Sequence, residues 1–523
     1  MYLAASIIVM PIAQSEQLFT IIKSLTKAEK RNFSLYVQRL QSNEDVMYVR
    51  LFDLLDKLED YDEEYILGKM GDMPKAQFVN IKRHLYTQVL KSLRLIHENI
   101  ESIKVREQID FAHILYSKGL YLQAFKLLDR VKHMLPEGGH DLLRLEIIEF
   151  QKFIEERHIT RSRKKQGKVQ ALLIESENQE SRVSNLVLLA NLKIKIHGWY
   201  IETGHVRDAK DHFSVKEYFE SELRKVRLTN LSVTEEIYLQ QSYMWYYYIL
   251  LDFVNCHKHA ELWVKAFDKN PSHMIEDPVL YMRGLSYQLT SLYSMRDYER
   301  YLQALEKFEC YISSHETYFD MTGQIISFLY LYTAKINRHF LEGSFQEGLQ
   351  LVPEINRLVK RFGRFIDIHR IMVFNYKTAW LYFGSGQPNQ SIEHLNKILN
   401  LKSAGHLRTD IQCYARLMHL MAHFELGHFN LLEHLVEQVG RFFSKMRDLN
   451  EVQIALLNFF RNNMDVRKQD LNHNLQVLKK EVIRLEKNPF EGRTFHHLDI
   501  IAWIDSRIEG KTVGEIIQRR FTS

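Results

Sequence analysis

An all-α chain built as a stack of helical hairpins is the expectation here, and it rests on three observations. A short signature recurs about every 41–51 residues: a Gly or small polar residue, an aromatic two positions later, and a small residue at plus five. It is clearest at Gly119/Tyr121/Ala124 and echoes at Gly204/Ala209, Asn255/His257/Ala260, Gly343/Phe345/Gly348 and Gly427/Phe429. One amphipathic helix pair cannot bury its apolar face alone, so such a period implies stacked neighbours. Proline and glycine are sparse, eight and 21 among 523 residues, which argues against sheet-rich turns and long linkers. The aromatic share of 12%, mostly Tyr and Phe, suits rings that fill the space between paired helices.

Charge and cysteine content narrow the class further. Lys and Arg number 70 against 65 Asp and Glu, a net +5 that gives no general pull toward nucleic acid or anionic lipid. Cys256, Cys310 and Cys413 are far apart and odd in number, so they are expected to be reduced, buried thiols of a cytoplasmic protein.

Residues 1–14 are read as an unstructured or mis-assigned start. The run MYLAASIIVMPIA is too short to span a bilayer and lacks a basic n-region, and Met10 is the expected true start. Residues 15–104 form an expected N-terminal cap of four helices. Thr26-x-x-Glu29 is a capping box opening the first, with Phe33, Tyr36, Val37 and Leu40 on one face. The next covers 46–58, a third 63–70 ends at Gly71 and Pro74, and a fourth runs from about 75 to 100. The sharper reading is a helix-turn-helix whose recognition helix bears Lys75, Lys82, Arg83, Lys91 and Arg94. Acidic residues through this segment, including the run Glu59-Asp60-Tyr61-Asp62-Glu63-Glu64, weigh against it.

Residues 105–445 carry the repeats. In the best copy Ala112 and Ala124 are small so that two helices can approach, Gly119 permits the turn, Tyr121 packs back across it, and Pro136 stops the second helix. These positions resemble the tetratricopeptide repeat, although most intervals here exceed that family's spacing of about 34 residues. The resemblance implies a right-handed superhelical solenoid with helical caps at both ends. Degenerate copies centre on Gly204, Arg296 and Gly386, and one poorly preserved hairpin is expected at 138–182. The start SLTKAEKRNF is similar to that of uncharacterised bacterial repeat proteins, which adds no function. Residues 446–523 are read as a C-terminal cap, with helices over 471–487 and 495–510 and a short basic one at the end.

No phosphate loop, dinucleotide fingerprint, nucleophile elbow or zincin pair is present, so no catalytic residues, cofactor or metal site are expected. Cys256-His257-x-His259 matches no recurrent zinc spacing, and His496-His497-x-Asp499 sits on a helix where adjacent side chains diverge by about 100°. Arg161, Arg163, Lys164, Lys165 and Lys168 form a candidate anion-binding run, read first as a solvated loop. Aligning the inner helices to the repeat puts Asn191, Lys195, Trp245, Arg283, Tyr330, Asn337, Tyr376 and Trp380 along a groove. Amides to hydrogen-bond a peptide backbone and rings to bury its side chains suit an extended peptide. The expected function is a non-catalytic protein- or peptide-binding scaffold with no membrane partner. The alternative is a transcriptional regulator whose N-terminal helices bind DNA while the array senses a peptide.

Overall fold

The structure, a computed structural model, describes residues 13–40, 45–71, 73–135, 140–157, 167–363, 365–401, 409–446, 450–463, 468–488, 490–492, 495 and 498–523. Among them every regular element is a helix and no strand occurs. The chain divides into two compact units between Val183 and Ser184. No helix of the described residues is long and apolar enough to cross a membrane. The apolar start at 1–12 lies outside the described residues.

In the first unit, helices Ala13–Ser24, Lys27–Leu40, Asp45–Lys57, Glu63–Met70 and Lys75–Ile96 enclose one small core. Leu18, Phe33, Leu51, Phe52, Phe78 and Leu85 form it, each within 4% of complete burial. That is one helix more than the cap expected from sequence. The capping box is present: the Thr26 amide donates to Glu29 Oε2 at 2.7 Å, and the Glu29 amide donates to Thr26 Oγ1 at 3.2 Å. A second core, around Ile109, Ala112, Ala124, Leu128 and Ile147, joins Glu101–Ser117, Tyr121–Met134 and Asp141–Arg157. Ala112 and Ala124 are completely buried, as a close helix crossing requires. Gly119 makes the turn between the first two of these helices at φ +76°, and Tyr116 and Tyr121 meet edge-on across it. The sparse stretch at 138–182 becomes Asp141–Arg157 followed by the 36-residue helix Lys168–Thr203, whose later residues belong to the second unit. Pro136 lies outside the described residues.

The second unit is organised by its turns. A left-handed residue ends a helix at Gly204, Leu251, Arg296, Gly343, Gly386 and Gly427, spacings of 41–47 residues. At Leu251, Arg296, Gly386 and Gly427 the next amide reaches back five residues, as Asp252 N to Tyr247 O at 3.0 Å and Gln387 N to Tyr382 O at 2.8 Å, closing a Schellman cap. One sequence register is corrected here. The third turn falls at Leu251 with Phe253 as its aromatic, while Asn255, His257 and Ala260 lie inside the helix Phe253–Asp268. A leucine in this conformation gives no glycine signal, so the nearest small polar residue takes its place in a reading by pattern. His257 is a buried helical side chain bonded to Ser291 Oγ at 3.1 Å, and His259 turns instead to Gln240 at 2.7 Å. Cys256 and Cys413 are buried, but Cys310, expected to be, is exposed.

Consecutive helices pack neighbour on neighbour from Val233–Ile249 to Val513–Thr522, and one continuous core runs from Leu192 to Ile516. The last two helices, Ile500–Glu509 and Val513–Thr522, return to the earlier turns. Trp503 Nε1 and Arg507 Nη1 both donate to Glu425 at 2.8 Å, and Arg296 pairs with Asp499 at 3.4 Å. Val513–Thr522 lies against Met321–Glu342 and Ile368–Gly384 through glycines. A Cβ on Gly343 would overlap the Gln518 backbone nitrogen, and one on Gly514 would stand 3.0 Å from Gly384 O. Only hydrogen side chains permit that backbone-to-backbone approach.

Candidate functional site

The second-unit part of Lys168–Thr203 and four helices wholly within that unit, Val233–Ile249, Pro278–Met295, Met321–Glu342 and Ile368–Gly384, each turn one face toward a cavity of about 460 Å³. That volume accommodates a small ligand or a few side chains of a larger one. The helical repeat explains the lining. His197 and Tyr200 come from the first helix, Trp245 and Tyr248 from the second, Tyr287 and Thr290 from the third, Tyr330, Thr333 and Asn337 from the fourth, and Tyr376 and Trp380 from the fifth. Each set follows the three- and four-residue spacing that keeps side chains on one face.

The walls are aromatic. Trp245 packs against His197 at 4.4 Å and against Tyr200 and Tyr287 at 5.2 and 5.1 Å between ring centres. Trp380 stacks on Phe383 at 5.6 Å and meets Phe345 edge-on. Among these rings stand polar groups with few partners. The Tyr330 hydroxyl and His369 Nδ1 are buried without a hydrogen-bond partner. Arg283 lies near enough to Tyr330 to interact electrostatically, although the hydroxyl lacks good hydrogen-bond geometry. Lys377 Nζ donates to Asn337 Oδ1 and lies 5.3 Å from the Phe340 ring centre.

Positive charge collects at the same place. Lys193 sits over the Tyr238 ring at 3.6 Å and Arg370 over Tyr330 at 5.6 Å. Burial first, then the charges of Arg283, Arg370 and Lys193, push the His197 imidazole down to about 4, so it is neutral at physiological pH. Burial and then Arg283 lower the Lys193 ammonium to about 8, with Asp277 opposing. Two nearby carboxylates cap helices, Asp277 accepting from the Leu280 amide at 2.9 Å and Asp367 from the His369 amide at 2.7 Å, and Asp277 also faces the charges of Arg283 and Lys193. Neither Arg283 nor Arg370 has a carboxylate within 4 Å among the described residues.

Five of the residues expected from sequence, Trp245, Tyr330, Asn337, Tyr376 and Trp380, meet in this cavity, with Arg283 beside them. Asn191 and Lys195 do not. Both are exposed, and Lys195 Nζ sits 5.5 Å from the Tyr218 ring on the outer helix Ala209–Leu223. The inward face of their helix is instead 193–197–200, two positions away, and two residues on a helix amount to about 200°. Sequence reasoning also missed Tyr287, Arg370 and Lys377. A repeat-by-repeat search for a second lining residue one turn beyond each chosen one finds Tyr287 from Arg283, and Lys377 from Trp380.

Elsewhere the candidates disperse. Arg161, Arg163, Lys164 and Lys165 lie outside the described residues, while Lys168 pairs with Glu155 at 3.4 Å and lies over the Phe125 ring. On the helix Lys75–Ile96, Lys82 pairs with Glu63 at 3.0 Å and covers Phe78, and Arg94 faces Asp110 at 3.4 Å. His496 and His497 are outside the described residues. No cluster of three or more metal-ligating side chains occurs among those described. Comparison with protein-family models, with curated proteins and with solved structures finds no match to this chain.

Proposed function

We propose that the chain is a non-catalytic binding protein of the cytoplasm that takes a peptide or an extended protein segment into the cavity of its second unit. In this reading the hairpins form a right-handed, tetratricopeptide-like superhelix, and the cavity is its inner face. The observation that carries it is the convergence of one face from five separate helices on a single aromatic-walled space, with polar side chains spaced among the rings. Rings bury side chains, while Asn337, Thr290 and Thr333 supply groups able to meet a peptide backbone. The DNA-binding alternative has less support, because two cations of its recognition helix, Lys82 and Arg94, have acidic neighbours. The test is an affinity purification with mass spectrometry using the wild type beside a Trp380→Ala/Asn337→Ala variant checked for folding by circular dichroism. Partners held by the wild type should be lost by the folded variant. Retention of the same partners removes the cavity from the account.

A further inference from the structure

The charges around the cavity offset one another. Lys193, Arg283, Arg370 and Lys377 stand with Asp277, Asp320, Asp367 and Asp410, four cations to four acids. A charged occupant of either sign would upset that balance, whereas an uncharged one keeps it. What the walls offer besides is rings and hydrogen-bond donors. Trp503 Nε1 donates to Glu425 at 2.8 Å, but the indole N–H groups of Trp245 and Trp380 have no partner among the described residues. An indole donates and never accepts, so both call for acceptors on the occupant. Thr290 and Thr333 spend their hydrogens on Ser286 O at 2.8 Å and Leu329 O at 2.6 Å, leaving only their oxygens to the cavity.

The spacing of the walls adds a repeat. Trp245 meets Tyr248 at 86° and Tyr287 at 71°, and rings crossed so steeply wall a slot on two sides. Pro278–Met295 packs on Met321–Glu342, and Met321–Glu342 on Ile368–Gly384. Helices packed in this way stand about 8–10 Å apart. A polyproline II segment has three residues per turn and rises about 3.1 Å per residue, so every third residue recurs after roughly 9 Å. Its third residues come round in step with Tyr287, Tyr330 and Trp380 on successive helices.

We infer that the segment bound here is uncharged and proline-rich, held as a polyproline II helix with a proline at every third position. This rests on the peptide-binding reading above and adds the chemistry and conformation of the peptide. Proline has no N–H, so such a segment presents carbonyl acceptors to the Trp245 and Trp380 indoles. Its few remaining amides meet the Thr290 and Thr333 hydroxyl oxygens. Its pyrrolidine rings enter the aromatic slots, and a backbone already extended loses little freedom on binding.

The experiment is selection of a random nonapeptide library against the immobilised full chain, repeated with Trp380→Phe and Trp380→Ala. Enriched peptides are then synthesised with acetylated and amidated ends, each beside a copy whose residues are reordered to break the three-residue proline spacing. The expected result is enrichment of proline at every third position, with no bias toward charged residues. Affinity should fall about tenfold or more on reordering, and several-fold in Trp380→Phe, which keeps a ring and loses the donor. It should change little between low and high ionic strength. If the Trp380 variants do not fold, Trp245→Phe takes their place, and the reordered peptides on the wild type keep the test open. Trp380-dependent peptides without proline, or indifferent to reordering, overturn this inference and leave the proposed function standing. No Trp380-dependent peptide at all overturns both. Binding of maltoheptaose with no peptide enriched also overturns both, in favour of a neutral sugar.

Discussion

The first unit keeps its apolar residues in separate small cores, one among Leu18–Val89 and another among Val105–Ile154, whereas the second threads one long core from Leu192 to Ile516 beside a small cluster of Leu189, Val226 and Leu239. The difference shows what stacking adds. A small cluster stabilises the few helices that make it and leaves nothing to share. A continuous core fixes each helix by its neighbours on both sides, so five inner faces can be held at one cavity and polar groups can stay there unpartnered. The aromatic-walled cavity lies in the second unit, where each inner helix is held by neighbours on both sides.

Glycine substitutions should separate the units most sharply. At Gly343 an alanine must adopt φ +76° and its Cβ meets the backbone of Gln518, with no side chain able to move aside. Left-handed strain and overpacking together should cost roughly 3–5 kcal/mol. Gly71 in the first unit has φ +90° but nothing within 4 Å, so Gly71→Ala should cost only about 1–2 kcal/mol. Urea unfolding of the two variants checks the ratio, and equal losses would break the contrast.

Acid should weaken the second unit first. His394 and His419 are both buried, and their imidazoles are held near 4 against an ordinary 6.5. Burial is the larger cause in each, followed by Lys397 at His394 and by His423 and then Arg416 at His419. The fold therefore keeps them neutral; their contribution is complete above about pH 6.5 and is lost as pH falls toward 4. It amounts to several kcal/mol at most, since a tenfold change in proton affinity is worth about 1.4 kcal/mol. In the first unit, burial raises the Glu29 carboxyl, but hydrogen bonds from Thr26 and His97 outweigh it and lower the group below 4.5. That contribution is present above pH 4.5 and disappears only below it. The unfolding midpoint should drop between pH 7.5 and 5.0, and the drop should shrink in His394→Asn/His419→Asn. An unchanged drop in that variant would assign the acid sensitivity elsewhere.

The smallest expected effects are alike in the two units. Thr26→Ala and Thr512→Ala each remove a capping box and should cost about 1 kcal/mol, because a cap is a local device indifferent to the core behind it. A several-fold disparity in thermal unfolding would mean the caps are coupled to packing.

Local signals explain what could be read from the sequence. Glu63–Met70 is legible because Asp62 and Gly71 punctuate it, and the turns at Gly119, Gly343, Gly386 and Gly427 are glycines with positive φ. Leu251 hides its turn behind an ordinary side chain. The return of Val513–Thr522 to Gly343 and Gly384 joins residues more than a hundred apart, and no periodicity encodes it. The cavity is half legible for a geometric reason. Trp245, Tyr330, Asn337, Tyr376 and Trp380 lie on helices whose register the turns fix, whereas the helix ending before Gly204 turns His197 and Tyr200 inward and leaves Asn191 and Lys195 exposed.

The most direct test of the central claim, that five inner faces act as one site, is hydrogen–deuterium exchange of the full chain with and without a selected peptide. Slowed exchange should appear together at 193–200, 245–248, 283–290, 330–337 and 370–380. Slowing confined to a single helix, or lying wholly within residues 13–183, would contradict the account.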